Sequence, residues 1–281
     1  MTTTTLSHAP PPAPSVSAVR VSLDHLSWSG IQTYTQCPAK FRFRYVEEAP
    51  EEFVPSALAF GHAFHRVFEH VHQSRLEGLG VPNEAELLDA YDLGFLEETK
   101  EGPPIQYNKD EGDATLRELA ARMIFAYREH ALAEPTTGTV IGVEQEERFR
   151  LLPDVPPVQM RLDLLEVRGD ILIVTDLKTA RSAWNDEKVR ENLGQLVLYA
   201  FGMMPLVHDL EVKRVVPRFV IVTKAKNPKV QVLEPKATKD DAQKLRHHVA
   251  DVWAAIQAGV FVKHEGWQCA QCPYRGRCLG S

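Results

Sequence analysis

Asp163, Asp176 and Lys178 are the residues of this 281-residue chain whose types and spacing could do chemistry together. They sit in two apolar runs, PVQMRLDLLEV and DILIVTDLKT, on either side of Arg168-Gly169-Asp170, a tight-turn signal between strands. A two-residue loop at Gly169 and Asp170 pairs Arg168 with Ile171, and the same register places Asp163 across from Asp176. Facing carboxylates repel unless a cation or a proton lies between them. Lys178, two residues beyond Asp176, projects from the same strand face. Hard oxygen ligands in this arrangement suit Mg²⁺ or Mn²⁺, with water and a substrate phosphate completing the shell. The plainer alternative is a strand-end charge pair of Asp163 with Arg161 or Lys178.

The cysteines give a second signal. Cys37 stands alone near the start, whereas Cys269, Cys272 and Cys278 crowd into the end of the sequence. The trio lacks one ligand of a four-thiolate site, and Cys37 is the only cysteine left to supply it. By ligand count such a site holds either Zn²⁺ or a 4Fe–4S cluster, and disulfides are the third arrangement. No run approaches the roughly 20 apolar residues that cross a bilayer. The opening MTTTTLSHAPPPAPSVSAVR has no basic segment before an apolar block, so residues 1–22 are expected to be a disordered lead-in. A cytoplasmic protein with no membrane partner is expected, in which thiols stay reduced and bind metal.

Composition bounds the partners. With 44% hydrophobic and 25% charged residues the chain is not a disordered protein, and 32 Lys and Arg against 38 Asp and Glu leave a net charge of -6. A polyanion must then be gripped by local patches.

The elements that must position these residues follow from periodicity. Ser27 is a good N-cap for a short helix ending at Cys37-Pro38. In AKFRFRYVEE the aromatics Phe41, Phe43 and Tyr45 alternate with Lys40, Arg42 and Arg44, which fits either a two-faced strand or the basic collar of a helix end. Helical spacing predicts a buried helix over 56–76 with Gly61, His65 and Glu69 in one column, and further helices over 83–100 and 113–133. From Thr139 the period changes to strands: TVIGVEQEERFRLL, the two runs above, VVPRFVIVTK and VQVLEP, with helices over 186–204 and 239–258. One α/β domain with a helical elaboration results.

Four motifs in this order resemble the PD-(D/E)XK nucleases of the RecB-like branch, including the AddB nuclease domain and the CRISPR-adaptation nucleases. Asp163 followed by Asp176-Leu177-Lys178 is similar to the signature itself. Gln195 and Tyr199 in GQLVLYA match the Q-x-x-x-Y helix, GHAFHRVFEH matches the G-x-x-x-H helix, and Cys37 with CAQCPYRGRC is similar to the split iron–sulfur cysteines. The resemblance covers roughly residues 26–278. It departs at QMRLD, where Met160 and Arg161 stand in place of the glycine usual before the first aspartate.

The resemblance implies a restriction-endonuclease-like α/β core, a mixed central sheet flanked by helices. A single domain over 23–281 would have its catalytic core over 138–235 and an iron–sulfur staple joining residue 37 to 269–278. It further implies that His65, Asp163, Asp176 and the Leu177 carbonyl bind the divalent metal, that Lys178 orients the attacking water, and that Gln195 and Tyr199 position the site or the nucleic acid backbone. A glutamate on the preceding strand often joins such sites; Glu144 is chosen over Glu146 and Glu147. The implied activity is a metal-dependent DNA exonuclease acting on single strands or duplex ends, with Lys40, Arg42, Arg44, Lys224 and Lys226 tracking phosphates. The sequence lacks G-x-x-x-x-G-K-[ST], so a separate helicase, or repair or CRISPR-adaptation proteins, are the expected partners. A non-catalytic DNA-binding adaptor of the same fold and a zinc-stabilised structural protein are the competing readings.

Overall fold

A computed structural model describes residues 21–100, 102–133 and 138–280. The lead-in expected over 1–22 lies outside the described residues as far as residue 20, while Val21 is buried and its carbonyl accepts from Gln257 Nε2 at 2.6 Å.

A short strand β1 (Leu26–Ser27) leads into α1 (Trp28–Gln36), which Ser27 caps by accepting from the Gly30 amide at 3.1 Å. Cys37 is extended, which ends α1, and Pro38 then opens α2 (Pro38–Phe41). The chain runs on into a π-helix over Arg42–Val46. Of the two readings of AKFRFRYVEE, the structure takes the helical one: Phe41 and Tyr45 meet one turn apart with ring centroids at 4.9 Å.

After β2 (Val54–Pro55) come three helices, α3 (Ser56–Leu76), α4 (Glu84–Lys100) and α5 (Asp113–Ala133). Asn83 and Glu86 cap α4 reciprocally, each accepting the other's amide. The polar connection before α5 contains β3 (Ile105–Gln106), which pairs with β2. Then follow β4 (Thr139–Phe149), β5 (Val158–Arg168), β6 (Ile171–Ala180), α6 (Asp186–Gly202), α7 (Met204–Asp209), β7 (Arg214–Thr223), β8 (Val230–Leu233), α8 (Lys239–Gln257) and α9 (Arg275–Leu279). The helix predicted over 186–204 breaks at Met203, because Pro205 can enter a helix only in its first turn.

The sheet is mixed. β4 and β6 lie antiparallel to β5, β7 runs parallel to β6 through the α6–α7 crossover, and β8 closes the edge antiparallel. Phe60, Phe64, Val67 and Phe68 of α3 pack with α5 against Leu164, Leu177, Val220 and Val222. On the other face Leu196 and Tyr199 of α6 pack against Leu162, Leu172, Val174 and Ile221. α1 and α8 form a third cluster against Val197 and Leu198 of α6.

Gly169, at φ +59°, makes the predicted hairpin turn, and Arg168 pairs with Ile171. The β5–β6 ladder ends at Leu164 with Thr175, one pair short of the predicted Asp163–Asp176 opposition. β4 occupies the other edge of β5 down to Val158, so the edge that β6 leaves is taken up by β1 at Val158 and Gln159. The alternation of β5 also slips there. Met160 and Leu162 pack under α6, but beyond Asp163 it is Leu165 that does so, with Leu164 under α3. The sheet therefore splays where its two aspartates stand: Asp163 drops out of the β4 and β6 pairings, and Asp176 keeps only its partner Phe219 on β7.

Candidate active site

The splay opens into a cleft of about 490 Å³ lined by β4–β6 residues on one side and by α3, α4 and α6 on the others. α3 brings His65 in from the helical side: its Nδ1 lies 3.4 Å from Asp163 Oδ1 and 3.8 Å from Glu144 Oε1. Asp163 Oδ2 accepts the Leu177 amide at 2.5 Å, so the side chain replaces the next ladder bond. Asp176 is buried. Its Oδ1 accepts from Gln195 Nε2 at 2.7 Å and from Lys178 Nζ at 3.1 Å. Oδ2 faces the same ammonium at 2.8 Å without hydrogen-bond alignment. The Gln195 amide also donates to Tyr199 Oη at 2.7 Å, so two residues one turn apart on α6 fix the second aspartate.

Glu144 reaches the cleft through local backbone distortion. β4 bulges between Val140 and Gly142, and Glu144 itself takes a left-handed φ of +49°. For a non-glycine residue this costs about 1–3 kcal/mol. Arg161 Nε holds Glu144 Oε2 at 2.5 Å, while Oε1 is buried without a hydrogen-bond partner. Glu146 and Glu147 are exposed, away from the lining.

The charges are interdependent. Burial raises the Asp176 pKa, with Lys178 opposing and Asp163 adding to the rise. Burial also acts to raise Asp163, but the cationic His65 outweighs it and holds that carboxyl below the usual range. Burial lowers His65, and Asp163 overrides it, bringing the imidazole to about 10. Burial keeps the Tyr199 hydroxyl well above its ordinary value, hence neutral.

Among the described residues His65, Glu144 and Asp163 form one group whose ligand atoms lie within 4.8 Å of one another. An imidazole nitrogen with carboxylate oxygens, one of them an orphaned buried acceptor, fits a divalent cation. This trio differs from the expected ligand set. Asp176 lies outside it, its carboxylate turned to Gln195 and Lys178, and Leu177 contributes its amide to Asp163.

A sequence profile of the PD-(D/E)XK nuclease superfamily matches residues 25–279. The chain belongs to this superfamily. A search of curated proteins found no match. Among solved structures, the "Putative exonuclease" of Eubacterium rectale is 14% identical, with 89% of this chain and 88% of that chain covered and a TM-score of 0.54, which shows a shared fold. SSO0001 is 16% identical over 60% of this chain and 78% of that chain; its TM-score of 0.33 is too low to carry an argument. This PD-(D/E)XK protein has the mixed α/β sheet flanked by helices that its superfamily implies. Among the described residues no helix is long and apolar enough to cross a membrane.

The expected phosphate-tracking cations are placed elsewhere. None of Lys40, Arg42, Arg44, Lys224 and Lys226 lines the cleft. Arg42 pairs with Glu47 at 2.5 Å and Arg44 with Glu51 at 3.8 Å. The Lys224 ammonium lies 4.4 Å over the Phe60 ring, and Lys226 is exposed in a separate groove beside Asp110 and Glu111. The lining residues that motif spacing did not point to are Arg161, His62, Arg66, Gly94, Glu97 and Glu98. The only sequence signal for the α3 members was their neighbourhood to His65.

The four cysteines are half-buried and unbridged. The segment after α8 lies along α1 and α2: Tyr34 Oη donates to the Val260 carbonyl at 2.6 Å and the Ala39 amide to Val262 at 3.2 Å. Burial raises Cys272 and Cys278, and each also feels the charges of Cys37 and Cys269.

Proposed function

We propose that this PD-(D/E)XK protein is a divalent-metal-dependent DNA nuclease that hydrolyses phosphodiester bonds as an exonuclease on single strands or duplex ends. The observation that carries the reading is the convergence of His65, Glu144 and Asp163 with Lys178 and Asp176 in one cleft. Mg²⁺ or Mn²⁺ held by the trio, with Asp176 beside it, supplies Lewis-acid charge next to the scissile phosphate. The chain's own residues do the rest. Lys178, held by Asp176, directs its ammonium to the attacking water and to the charge that grows on the phosphate. Gln195, backed by Tyr199, keeps Asp176 turned toward Lys178. Arg161 restrains Glu144.

Cys37, Cys269, Cys272 and Cys278 hold a 4Fe–4S cluster that ties the N-terminal helices to the tail. The proximity of the four residues supports this reading, because both Cys272 and Cys278 lie close enough to Cys37 and Cys269 to interact with them electrostatically. Protein purified without oxygen is expected to be brown, absorbing near roughly 400 nm. A colourless, zinc-loaded protein would assign the site to Zn²⁺, and a stable, active, colourless quadruple Ser variant would remove the staple altogether. A cytoplasmic enzyme working with a separate helicase, or with repair or CRISPR-adaptation proteins, fits this activity.

The deciding experiment incubates end-labelled single-stranded, duplex and circular DNA with Mg²⁺ or Mn²⁺. Linear DNA is expected to be degraded by the wild type but not by Asp176→Ala or Lys178→Ala. Cleavage that persists in both variants would overturn the site assignment. Tight binding without cleavage would make the protein an adaptor.

A further inference from the structure

The cleft's second wall holds an ion-pair network that the metal site does not use. Of the six carboxylates in the lining, Glu144 and Asp163 belong to the candidate metal trio and Asp176 stands beside it, while Glu69, Glu97 and Glu98 stand on α3 and α4. Arg66, the residue after His65, gives Nη1 to Glu69 and Nη2 to Glu97, both at 2.9 Å. His62, one turn earlier, meets Glu98 at 2.9 Å.

Acids lining the entrance to a polyanion site raise the cost of substrate approach, and exposed ion pairs contribute little stability in return. The pairing has a built geometry. A Cβ at Gly94 would stand 2.8 Å from Arg66 Cγ and 3.0 Å from the Ala63 Cα, so α4 can lie this close to α3 only because residue 94 is glycine. That approach sets the Arg66 stem on the α4 backbone and its guanidinium at the cleft, next in sequence to His65. Glu69 and Glu97 also keep the guanidinium away from Glu144 and Asp163, whose charge the metal requires.

We propose that Arg66 grips a phosphate of the DNA strand beside the scissile bond, and that Glu97 occupies that phosphate's place in the free protein. Glu97 takes only the Nη2 donor and Glu69 only Nη1, so a phosphate oxygen can replace Glu97 on Nη2 without disturbing the bond to Glu69. Glu97 is the one to leave because it is the more exposed partner, at 61% against 32% for Glu69. Glu69 stays and holds the arm extended. This assignment rests on the nuclease reading above and adds a phosphate-binding residue to it.

The test measures anisotropy of a fluorescent single-stranded oligonucleotide with the full chain in a Lys178→Ala background, so that substrate stays intact, across a salt series. Arg66→Ala is expected to weaken binding by about 10-fold and to flatten the salt slope by about 0.7. Arg66→Lys should fall between in affinity and keep the slope, since it retains the charge but loses the two separately directed nitrogens. Glu97→Gln is expected to tighten binding by roughly threefold. Unchanged affinity in Arg66→Lys together with no tightening in Glu97→Gln would overturn the proposal, whether or not Arg66→Ala folds. Cleavage by the wild type, assayed in parallel, separates the two readings: no cleavage defeats the nuclease assignment, whereas cleavage with indifferent Arg66 and Glu97 variants defeats this one alone.

Discussion

The Leu177 amide donates to the Asp163 carboxylate at 2.5 Å, so the strand that carries the second aspartate of the cleft also anchors the first. The two carboxyls consequently carry opposite energetic signs. Asp163 is held below its usual pKa, so its charge favours the folded state; Asp176 is held above, so its charge opposes it. Asp163→Asn is expected to cost metal-free protein about 1–3 kcal/mol at pH 7 through the lost pairing with His65. Asp176→Asn should raise stability by about 1 kcal/mol while abolishing cleavage. Urea unfolding of both variants checks the signs, and equal destabilisation would contradict them.

Gly194 places α6 against the indole of Trp28; a Cβ there would overlap the ring. Gly194→Ala is expected to destabilise the fold by about 1–3 kcal/mol and to lower activity, because the next residue is Gln195. Adding Trp28→Leu should restore part of both losses. A double-mutant cycle with no coupling would show that the two sites are independent.

His72 is buried against Tyr127, its Nε2 2.8 Å from the phenol, with Arg75, His130 and Arg218 facing the same small cavity. Burial, then the Arg75 charge, lower its pKa to about 3. The unfolded chain binds this proton near pH 6.5 and the folded chain does not, so His72 makes stability fall as pH drops from 6.5 toward 3. The slope it contributes is about 1.4 kcal/mol per pH unit. His72→Gln should flatten the acid limb of a stability–pH curve by that amount; an unchanged limb would place the acid sensitivity elsewhere.

Lys224 lies over Phe60, where burial lowers its pKa to about 8 against the opposing pull of Glu111. A lysine so shifted carries its charge at a cost below pH 8, and the cost is relieved as pH rises from there toward 10.5. Lys224→Met is expected to raise the unfolding midpoint at pH 7 and leave oligonucleotide affinity within about twofold. A large loss of affinity in the folded variant would return Lys224 to the phosphate path.

Legibility in the sequence followed how local each cause is. The turn at Gly169 and Asp170 set the β5–β6 register, and Ser27, Pro38 and the apolar spacing of 56–76 set helix ends within a residue or so. Gln195 and Tyr199 were readable as a pair because one helical turn separates them. What failed to show was non-local. Phe41, Phe43 and Tyr45 alternate as well for a strand as for a helix end, and their packing with Tyr34 and Tyr274 decides. Strand parity did not separate Glu144 from Glu146, and Glu147 stood as close in sequence; the structure turns Glu144 inward through a bulge and a positive φ that no composition announces. Arg66 and Glu97 meet only across the α3–α4 contact.

The contact between Tyr34 and Val260 joins residues 226 positions apart. At about 5–20 residues per second of translation, α1 leaves the ribosome roughly 11–45 s before the segment it docks on has been made. During that interval β1, β5 and β6 can already pair, whereas Tyr34 of α1 and Ala39 of α2 await the chain at Val260 and Val262. Assembly of this end of the molecule is therefore timed by the ribosome. A stalled or truncated nascent chain would present both carboxylates of the cleft on a sheet whose N-terminal helices still lack the segment at Val260 and Val262.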